Sequence, residues 1–243
     1  MTRRKRADVL LVERGLFESR TRAQAAIAAG LVTADGAPLR KASDEIAADA
    51  VLQAAPEHPW VSRGGLKLTA ALDHFGFAPA GRVCLDIGAS TGGFTEVLLA
   101  RGARRVYAVD VGRGQLHARL REHPEIVSIE ETDIRALDPA RLPEPPDFAT
   151  VDVSFISLKL VLPALDRLIR RPAQLVALIK PQFEAGRAHL KKGIVRDPAV
   201  QAAVCDDLSA FAASLGWNVA GVIPSPIGGG EGNREFLLGA RRD

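Results

Sequence analysis

Cysteine is scarce in this chain, with only Cys84 and Cys205 among 243 residues. Neither lies at a metal-ligand spacing from another cysteine or a histidine, so the sequence predicts no disulfide framework and no zinc site. We expect both to be reduced thiols in the core. The five histidines are scattered, and we predict no bound metal ion.

Long apolar runs are also lacking. No stretch approaches the roughly 18 apolar residues of a membrane span. The opening segment, MTRRKRADVLLVERG, has acidic residues where a secretory signal needs an apolar run. We therefore expect a cytoplasmic protein of one or two domains, without a membrane partner.

Net charge is small, +3 overall, but it is unevenly distributed. Residues 1–41 carry nine basic and four acidic side chains, whereas residues 42–60 carry four acids and no Lys or Arg. This asymmetry predicts a basic face near the amino terminus. An ordinary solvated surface explains the charge alone equally well.

Two short helices and a hairpin are predicted in the same region. The first helix covers residues 8–14 and stops at Gly15, and Ser19 caps a second helix that stops at Gly30. Asp35-Gly36 then lies between two strand-like runs, which is a hairpin signal.

The segment SRTRAQAAIAAGLVTADG, residues 19–36, resembles the alpha-L RNA-binding domain of a ribosomal small-subunit protein. The resemblance implies that residues 1–57 form such a domain and that RNA contacts Arg20, Arg22 and Lys41. We extend the predicted RNA surface to further basic residues: Arg4, Arg6 and Arg63. Each of them, taken singly, is also explained as an exposed surface charge.

Residues 58–62 are interpreted as an interdomain linker. They lie within PEHPWVSRGG, where two prolines and a glycine pair surround Trp60. Such a composition predicts a short, stiff connection. The second domain is expected to cover residues 63–243.

Strands and helices alternate over that second domain. RVCLDIG, RVYAVDV, IVSIE, FATVDVSF and QLVALIK are typical of strands, and GGFTEVLLARG, GQLHARLREH and SLKLVLPALDRLIRR are typical of helices. The alternation predicts an α/β fold with a parallel sheet covered by helices. Ligands bind such sheets at the carboxyl ends of the strands.

A glycine-rich turn, Gly88-Ala89-Ser90-Thr91-Gly92-Gly93, leads from the first strand into a helix that contains Phe94. It lacks the spacing of a dinucleotide site and the Lys of a P-loop. A carboxylate such as Asp86 serves phosphates poorly, whereas S-adenosylmethionine carries a sulfonium and an ammonium. We predict that Asp86, the turn and Phe94 hold this cofactor.

Two more acids follow the next strands. Asp110 is suited to accept ribose hydroxyls, and Asp133 is suited to the adenine amino group. One such Asp is more simply a turn or cap residue. Three at successive strand ends, beside a glycine turn, favour a methyltransferase pocket.

A hydroxyl that accepts a methyl group needs a side chain that orients it and removes its proton. Lysines held by carboxylates can do this, and the candidates are Lys67, Asp152, Lys180 and Glu235. Asp152 and Lys180 end predicted strands on the ligand side. The residue pattern alone does not select these four, since the lysines and Glu235 are equally explained as solvated charges.

Five segments in order, WVSRGGLKL, CLDIGASTGGFTEVLLARGA, VDVSFISLKLVLPAL, LIKPQFE and GNREFLL, resemble the TlyA family, whose catalytic half belongs to the FtsJ-like RNA 2′-O-methyltransferases. The resemblance implies a Rossmann-like class I methyltransferase domain with a seven-stranded, mostly parallel sheet. It also implies a monomer that methylates cytidine ribose in large-subunit, and in some members small-subunit, ribosomal RNA.

The same resemblance implies the roles of the site residues. Lys67, Asp152, Lys180 and Glu235 form a catalytic tetrad in which Lys180 activates the ribose hydroxyl, and Phe155 packs beside the cofactor. The linker is implied to couple RNA binding to cofactor binding. Some relatives have Arg-Ala before Trp-Val, and His58-Pro59 here predicts a stiffer linker.

Other functions fit less well. Some family members carry the name haemolysin, but no pore-forming segment is visible in the sequence. An inactive methyltransferase fold is disfavoured by the intact tetrad and glycine turn. Base methylation commonly uses a different motif from DVSF, residues 152–155, and a pseudouridine synthase would not show the alternation of strands and helices.

Overall fold

A computed structural model describes residues 4–229 and 232–243. The chain divides into two compact units, Met1–Pro59 and Trp60–Asp243. The predicted linker, residues 58–62, spans this division.

The first unit packs two helices against short strands. Ser19 caps the second helix as predicted, its hydroxyl accepting a hydrogen bond from the Arg22 amide at 3.4 Å. Leu11, Ala23 and Ile27 are buried in its core. The elements are β1 Arg4–Arg6, α1 Ala7–Glu13, α2 Arg20–Ala28, β2 Val32–Ala34, β3 Ala37–Pro38, β4 Glu45–Ala47 and β5 Leu52–Ala54.

The predicted hairpin is confirmed between β2 and β3. Asp35 and Gly36 form its two-residue turn with φ of 50° and 78°. Both values lie in the left-handed region, which tight hairpins require and Asp-Gly tolerates. The antiparallel pair of β1 with β4 was not predicted, because three consecutive basic residues show no apolar alternation.

The second unit is an α/β fold with the predicted seven-stranded, mostly parallel sheet. Within the described residues its strand order is β11-β12-β10-β9-β6-β7-β8. β6 to β10 run parallel to one another, and β12 pairs antiparallel with both β10 and β11. The strands are β6 Val83–Ile87, β7 Arg105–Val109, β8 Ile126–Ile129, β9 Phe148–Val151, β10 Ala173–Ile179, β11 Asn218–Pro224 and β12 Phe236–Arg242.

Helices cover the sheet: α3 Gly64–Phe75, α4 Gly93–Ala100, α5 Ala118–Arg121, α6 Leu158–Val161, α7 Leu165–Leu168, α8 Pro181–Glu184 and α9 Pro198–Ser214. Cys84 and Cys205 are free thiols in the core, as predicted. Burial raises the pKa of Cys205 to about 11.

Three helical segments differ from the sequence prediction. α3 was missed, since its start at Gly64-Gly65 has the composition of a linker; a Cβ on Gly65 would lie 2.3 Å from Trp60 Cγ, so glycine permits this packing. The helix predicted over GQLHARLREH shrinks to α5. The one predicted over SLKLVLPALDRLIRR is interrupted by a 3-10 turn at Leu162–Ala164, because Pro163 supplies no amide hydrogen.

Candidate active site

The glycine turn lies between β6 and α4 and packs tightly against its surroundings. Gly88 has φ of 81°, and a Cβ there would lie 2.3 Å from the Asp152 carbonyl oxygen. A Cβ on Gly93 would lie 2.1 Å from Ser62 Oγ. Glycine is therefore required at position 88, where it brings the turn against the segment that follows β9. At position 93 a Cβ would displace the Ser62 hydroxyl and lie 3.1 Å from the Gly65 amide nitrogen.

Asp110 connects this turn to the next strand. Its carboxylate accepts hydrogen bonds from the Ser90 amide and the Gly112 amide, each at 2.7 Å. Ser90 has φ of 48°, a left-handed conformation that directs its amide to Asp110. Each carboxylate oxygen retains a second lone pair, so Asp110 can still accept a hydroxyl.

Asp86 lies beneath the turn and is fully buried. Thr95 and Thr150 donate hydroxyl hydrogen bonds to it at 2.6 and 2.7 Å. Burial raises the pKa of Asp86 to about 6, because two neutral hydroxyls compensate only partly for lost hydration. Because it has no exposed surface, this carboxylate does not line the cavity. It fixes the end of β6, from which the glycine turn begins.

Asp133 follows β8 and caps a short 3-10 turn. Its carboxylate accepts from the Arg135 amide at 2.9 Å and from the Arg135 guanidinium at 2.6–3.0 Å. The Arg135 contact lowers the pKa of Asp133. A ligand amino group at this position would share the carboxylate with Arg135.

Glu130 organises the loop that precedes α5, and sequence reasoning missed it. Its carboxylate accepts from the amides of Gly114, Gln115 and Leu116 at 2.7, 2.8 and 3.1 Å. These bonds lower the pKa of Glu130. No local pattern marks Glu130 as the partner of this loop, because it lies 14 to 16 residues further along the chain.

A cavity of about 340 Å³ opens at the carboxyl ends of β6, β7 and β8. Acidic acceptors and apolar side chains line it together: Asp110, Asp133, Asp152, Val111, Ile134 and Phe155. This combination suits a ligand with a flat apolar ring and several hydroxyl or amino donors. We call it the nucleoside cavity.

The four tetrad candidates form two ion pairs. Lys67 Nζ lies 2.5 Å from Glu235 Oε2, and Lys180 Nζ lies 2.6 Å from Asp152 Oδ1. Lys180 also donates to Ser154 Oγ at 2.9 Å. Both lysine side chains are 11% exposed, so each is largely withdrawn from water and oriented by a carboxylate. The structure thus brings together residues that lie 168 positions apart in sequence.

These pairs face a second cavity of about 550 Å³, which we call the acceptor cavity. Lys67, Lys180 and Glu235 line it with Ser154, Phe155 and Phe183. A smaller cavity of about 230 Å³ is lined by the glycine turn together with Lys67 and Asp152. Ser154 and Phe155 line both the nucleoside and the acceptor cavity, so the two adjoin at these residues.

Phe155 projects at this junction. It is 91% exposed and has φ of 64°, which is strained for a residue with a large side chain. Its ring centroid lies 5.0 Å from that of Phe183. The predicted position beside a cofactor is thus compatible with its place in the lining.

Glu184, which sequence reasoning also missed, fastens the loop that carries Ser154 and Phe155. Its carboxylate accepts from Ser157 Oγ at 2.6 Å and from the Leu158 amide at 2.8 Å. Because Glu184 ends the short helix that follows Lys180, these bonds tie together the segments that supply Asp152 and Lys180.

The predicted RNA-binding residues lie mostly in the first unit. Arg4 donates to the Glu45 carbonyl, Arg22 pairs with Glu18 at 3.7 Å, and Lys41 is exposed. Arg6 and Arg20 both bond to the buried Asp8. Arg63 is exposed in the second unit, immediately before α3.

Comparison with known proteins identifies the family. The profile described as "FtsJ-like methyltransferase" matches residues 60–242, and the one described as "S4 domain" matches residues 5–52. The 16S/23S rRNA (cytidine-2′-O)-methyltransferase TlyA of Mycobacterium tuberculosis is 46% identical over 244 residues, which is 99% of this chain and 91% of that protein. The chain belongs to the TlyA family of FtsJ-like methyltransferases.

Two further family members extend the likeness. The 23S rRNA (cytidine-2′-O)-methyltransferase TlyA of Campylobacter jejuni is 39% identical over 180 residues, covering 73% of this chain and 69% of that protein. A solved hemolysin-named protein of Streptococcus thermophilus is 44% identical with a TM-score of 0.78, covering 100% of this chain and 90% of that chain. The predicted family and fold class are therefore confirmed. Within residues 4–229 and 232–243, no helix has the length and apolar character to cross a membrane.

Proposed function

We propose that this protein transfers a methyl group from S-adenosylmethionine to the ribose 2′-hydroxyl of cytidine in ribosomal RNA. The observation that carries the proposal is the pair of lysine–carboxylate contacts, Lys67–Glu235 and Lys180–Asp152, at the acceptor cavity, which adjoins the nucleoside cavity at Ser154 and Phe155. Relatives named for this reaction on 16S and 23S RNA support the substrate class.

The nucleoside cavity fits the cofactor. Gly88 lines this cavity, and Asp110 offers acceptors for ribose hydroxyls. Val111, Ile134 and Phe155 supply apolar walls for an adenine ring, and Asp133 supplies an acceptor for its amino group. When bound, S-adenosylmethionine supplies an activated methyl group on a positively charged sulfur. Asp86 acts on this site indirectly, through Thr95, Thr150 and the strand end beneath the turn.

The acceptor cavity supplies the groups that act on the ribose. Methyl transfer requires that the 2′-hydroxyl be aligned with the methyl group and that its proton leave. Lys180 Nζ is the group that receives that proton, and Asp152 together with Ser154 fixes the direction of this nitrogen. Lys67, held by Glu235, contributes a second nitrogen that donates to the oxygen on which negative charge develops.

The first unit supplies RNA affinity. Its basic side chains contact phosphates, so association is expected to weaken steeply with salt. The target cytidine must leave its helix to present its 2′-hydroxyl to a largely buried lysine pair.

The experiment that tests the proposal uses labelled S-adenosylmethionine and purified ribosomal subunits lacking the modification, large and small separately. We expect label on a cytidine 2′-oxygen, mapped by resistance of the adjoining phosphodiester to alkali. Label on a base, or no label while cofactor binding is measurable, would contradict the proposal.

A further inference from the structure

The first unit contains one fully buried charged side chain, Asp8, within its described residues. Three side chains donate to it from three directions. Arg6 donates through Nε and Nη2 at 3.0 and 3.2 Å, Arg20 through Nε and Nη2 at 3.2 and 2.8 Å, and Gln24 through Nε2 at 2.7 Å. Donors from β1 and α2 therefore converge on a single carboxylate of α1.

The two arginines differ from Asp8 in exposure. Asp8 is completely buried, whereas the side chains of Arg6 and Arg20 are 47% and 55% exposed. Each guanidinium uses its Nε and one Nη2 hydrogen bond on Asp8, so its Nη1 amino group is not needed there. Both cations thus have one side fixed by the protein and another side open to solvent.

The charges in this cluster do not balance. One carboxylate faces two guanidiniums, and Gln24 is neutral, so the group retains one positive charge. Two guanidiniums on one carboxylate repel each other, and a second anion on the solvent side would relieve that repulsion. Phosphate is the anion that arginine grips with two parallel hydrogen bonds.

We propose that Asp8 is a positioning residue for RNA binding, and that it holds Arg6 and Arg20 as a preformed clamp for a phosphodiester of the ribosomal RNA. This inference rests on the proposed function and deepens it. Such a clamp raises RNA affinity because two long side chains that are already fixed lose less conformational entropy on binding than two free ones.

A positioning role for Asp8 and a simple change in net charge predict opposite effects of an Asp8 substitution on RNA affinity. Asp8→Asn removes a negative charge, and so does Asp49→Asn on an exposed residue of the same unit. Long-range attraction to RNA should tighten binding in both variants equally. A positioning role predicts instead that only Asp8→Asn weakens binding.

The experiment measures association of full-length protein with purified unmethylated large ribosomal subunits at several salt concentrations. We expect Asp8→Asn to bind about tenfold more weakly than wild type at 0.1 M salt, with a shallower salt dependence. Asp49→Asn should bind as tightly as wild type or more so. If Asp8→Asn matches Asp49→Asn, or binds more tightly because its arginines are released, the proposal is wrong.

A second set of variants distinguishes a positioning role of Asp8 from a role in folding of the first unit. In an Arg6→Ala, Arg20→Ala protein, Asp8→Asn should cause no further loss of affinity, since no clamp remains to position. A further tenfold loss in that background would assign Asp8 a purely structural role and overturn the inference. If wild type itself binds subunits without salt dependence, the proposed RNA-binding function fails, which is a distinct result.

Discussion

Asp8 and Asp86 are both fully buried carboxylates, one in each unit, yet their pKa values move in opposite directions. Two guanidiniums bond to Asp8 and lower its pKa well below the usual range. Two threonine hydroxyls bond to Asp86, and burial raises its pKa to about 6. Burial alone therefore does not decide the charge state of a carboxylate; its partners do.

The difference matches the proposed work of the two units. In the first unit, Asp8 binds two guanidiniums and neutralises one charge, which leaves one positive charge at the surface for the proposed phosphate contact. In the second, Asp86 supports a turn from below, and Asp152 and Glu235 each match one lysine at the acceptor cavity. The excess positive charge in the first unit suits long-range attraction of RNA. The matched lysine–carboxylate pairs in the second unit suit the positioning of one proton.

The largest expected effect comes from Lys180. Lys180→Arg places a guanidinium beside Asp152. A guanidinium stays protonated in proteins and has no acceptor atom, so it cannot take up the hydroxyl proton. We expect the single-turnover rate of methyl transfer to fall by about 10³-fold, with cofactor binding retained. The measurement is single-turnover transfer on purified subunits, with cofactor affinity from calorimetry.

Lys159 provides the matched control, because it pairs with Asp207 at 2.7 Å on the surface of the same unit. Lys159→Arg should transfer methyl at the wild-type rate. Near-normal activity of Lys180→Arg would show that this lysine acts through charge alone.

The next effect concerns Asp86 and pH. Its pKa rises from an ordinary 3.8 to about 6 on folding, so the folded state binds the proton more tightly than the unfolded state. Protonation of Asp86 therefore contributes stability that is fully present below pH 3.8 and is lost as pH rises through 6. Relative to wild type, Asp86→Asn should gain about 3 kcal/mol of unfolding free energy between pH 3 and pH 8.

Tryptophan fluorescence during urea unfolding measures this, since Trp60, Trp217 and Tyr107 all lie in the second unit. A stability difference that does not change with pH would show that Asp86 has no raised pKa in the folded protein.

The smallest expected effect concerns Asp8, whose contribution to stability changes with pH in the direction opposite to that of Asp86. Its folded pKa is depressed, so its contribution to stability is present above its ordinary pKa of 3.8 and is lost as pH falls below that value. Asp8→Asn should cost about 2 kcal/mol at pH 7 and progressively less in acid. Hydrogen exchange of the α1 and α2 amides reports on this unit, and a cost that grows in acid would contradict the comparison.

The sequence was sufficient for those features that depend on local pattern. Alternating apolar runs placed Asp152 and Lys180 directly after strands, and the Asp35-Gly36 turn was read from two residues. The spacing of the glycine turn, its lack of a P-loop Lys and the Asp86 carboxylate together predicted a cofactor without phosphate.

Features that depend on long-range contacts were not accessible from the pattern. Nothing local indicates that Lys67 meets Glu235, because that contact depends on the packing of α3 against β12. Selection of the tetrad came from family resemblance. Asp8 is the first residue of the first predicted helix, and nothing in that pattern indicates burial. Arg6 lies only two residues before it, whereas Arg20 and Gln24 come from α2 and reach it through the fold.

The central claim is that the first unit supplies RNA affinity and the lysine pairs supply chemistry. The most direct test measures single-turnover methyl transfer to purified unmethylated subunits, at increasing protein concentration, for Lys180→Arg and for Arg6→Ala with Arg20→Ala. We predict that saturating protein restores the double variant to the wild-type rate and leaves Lys180→Arg about 10³-fold slower. If saturation restores Lys180→Arg, or fails to restore the double variant, this division of roles is contradicted.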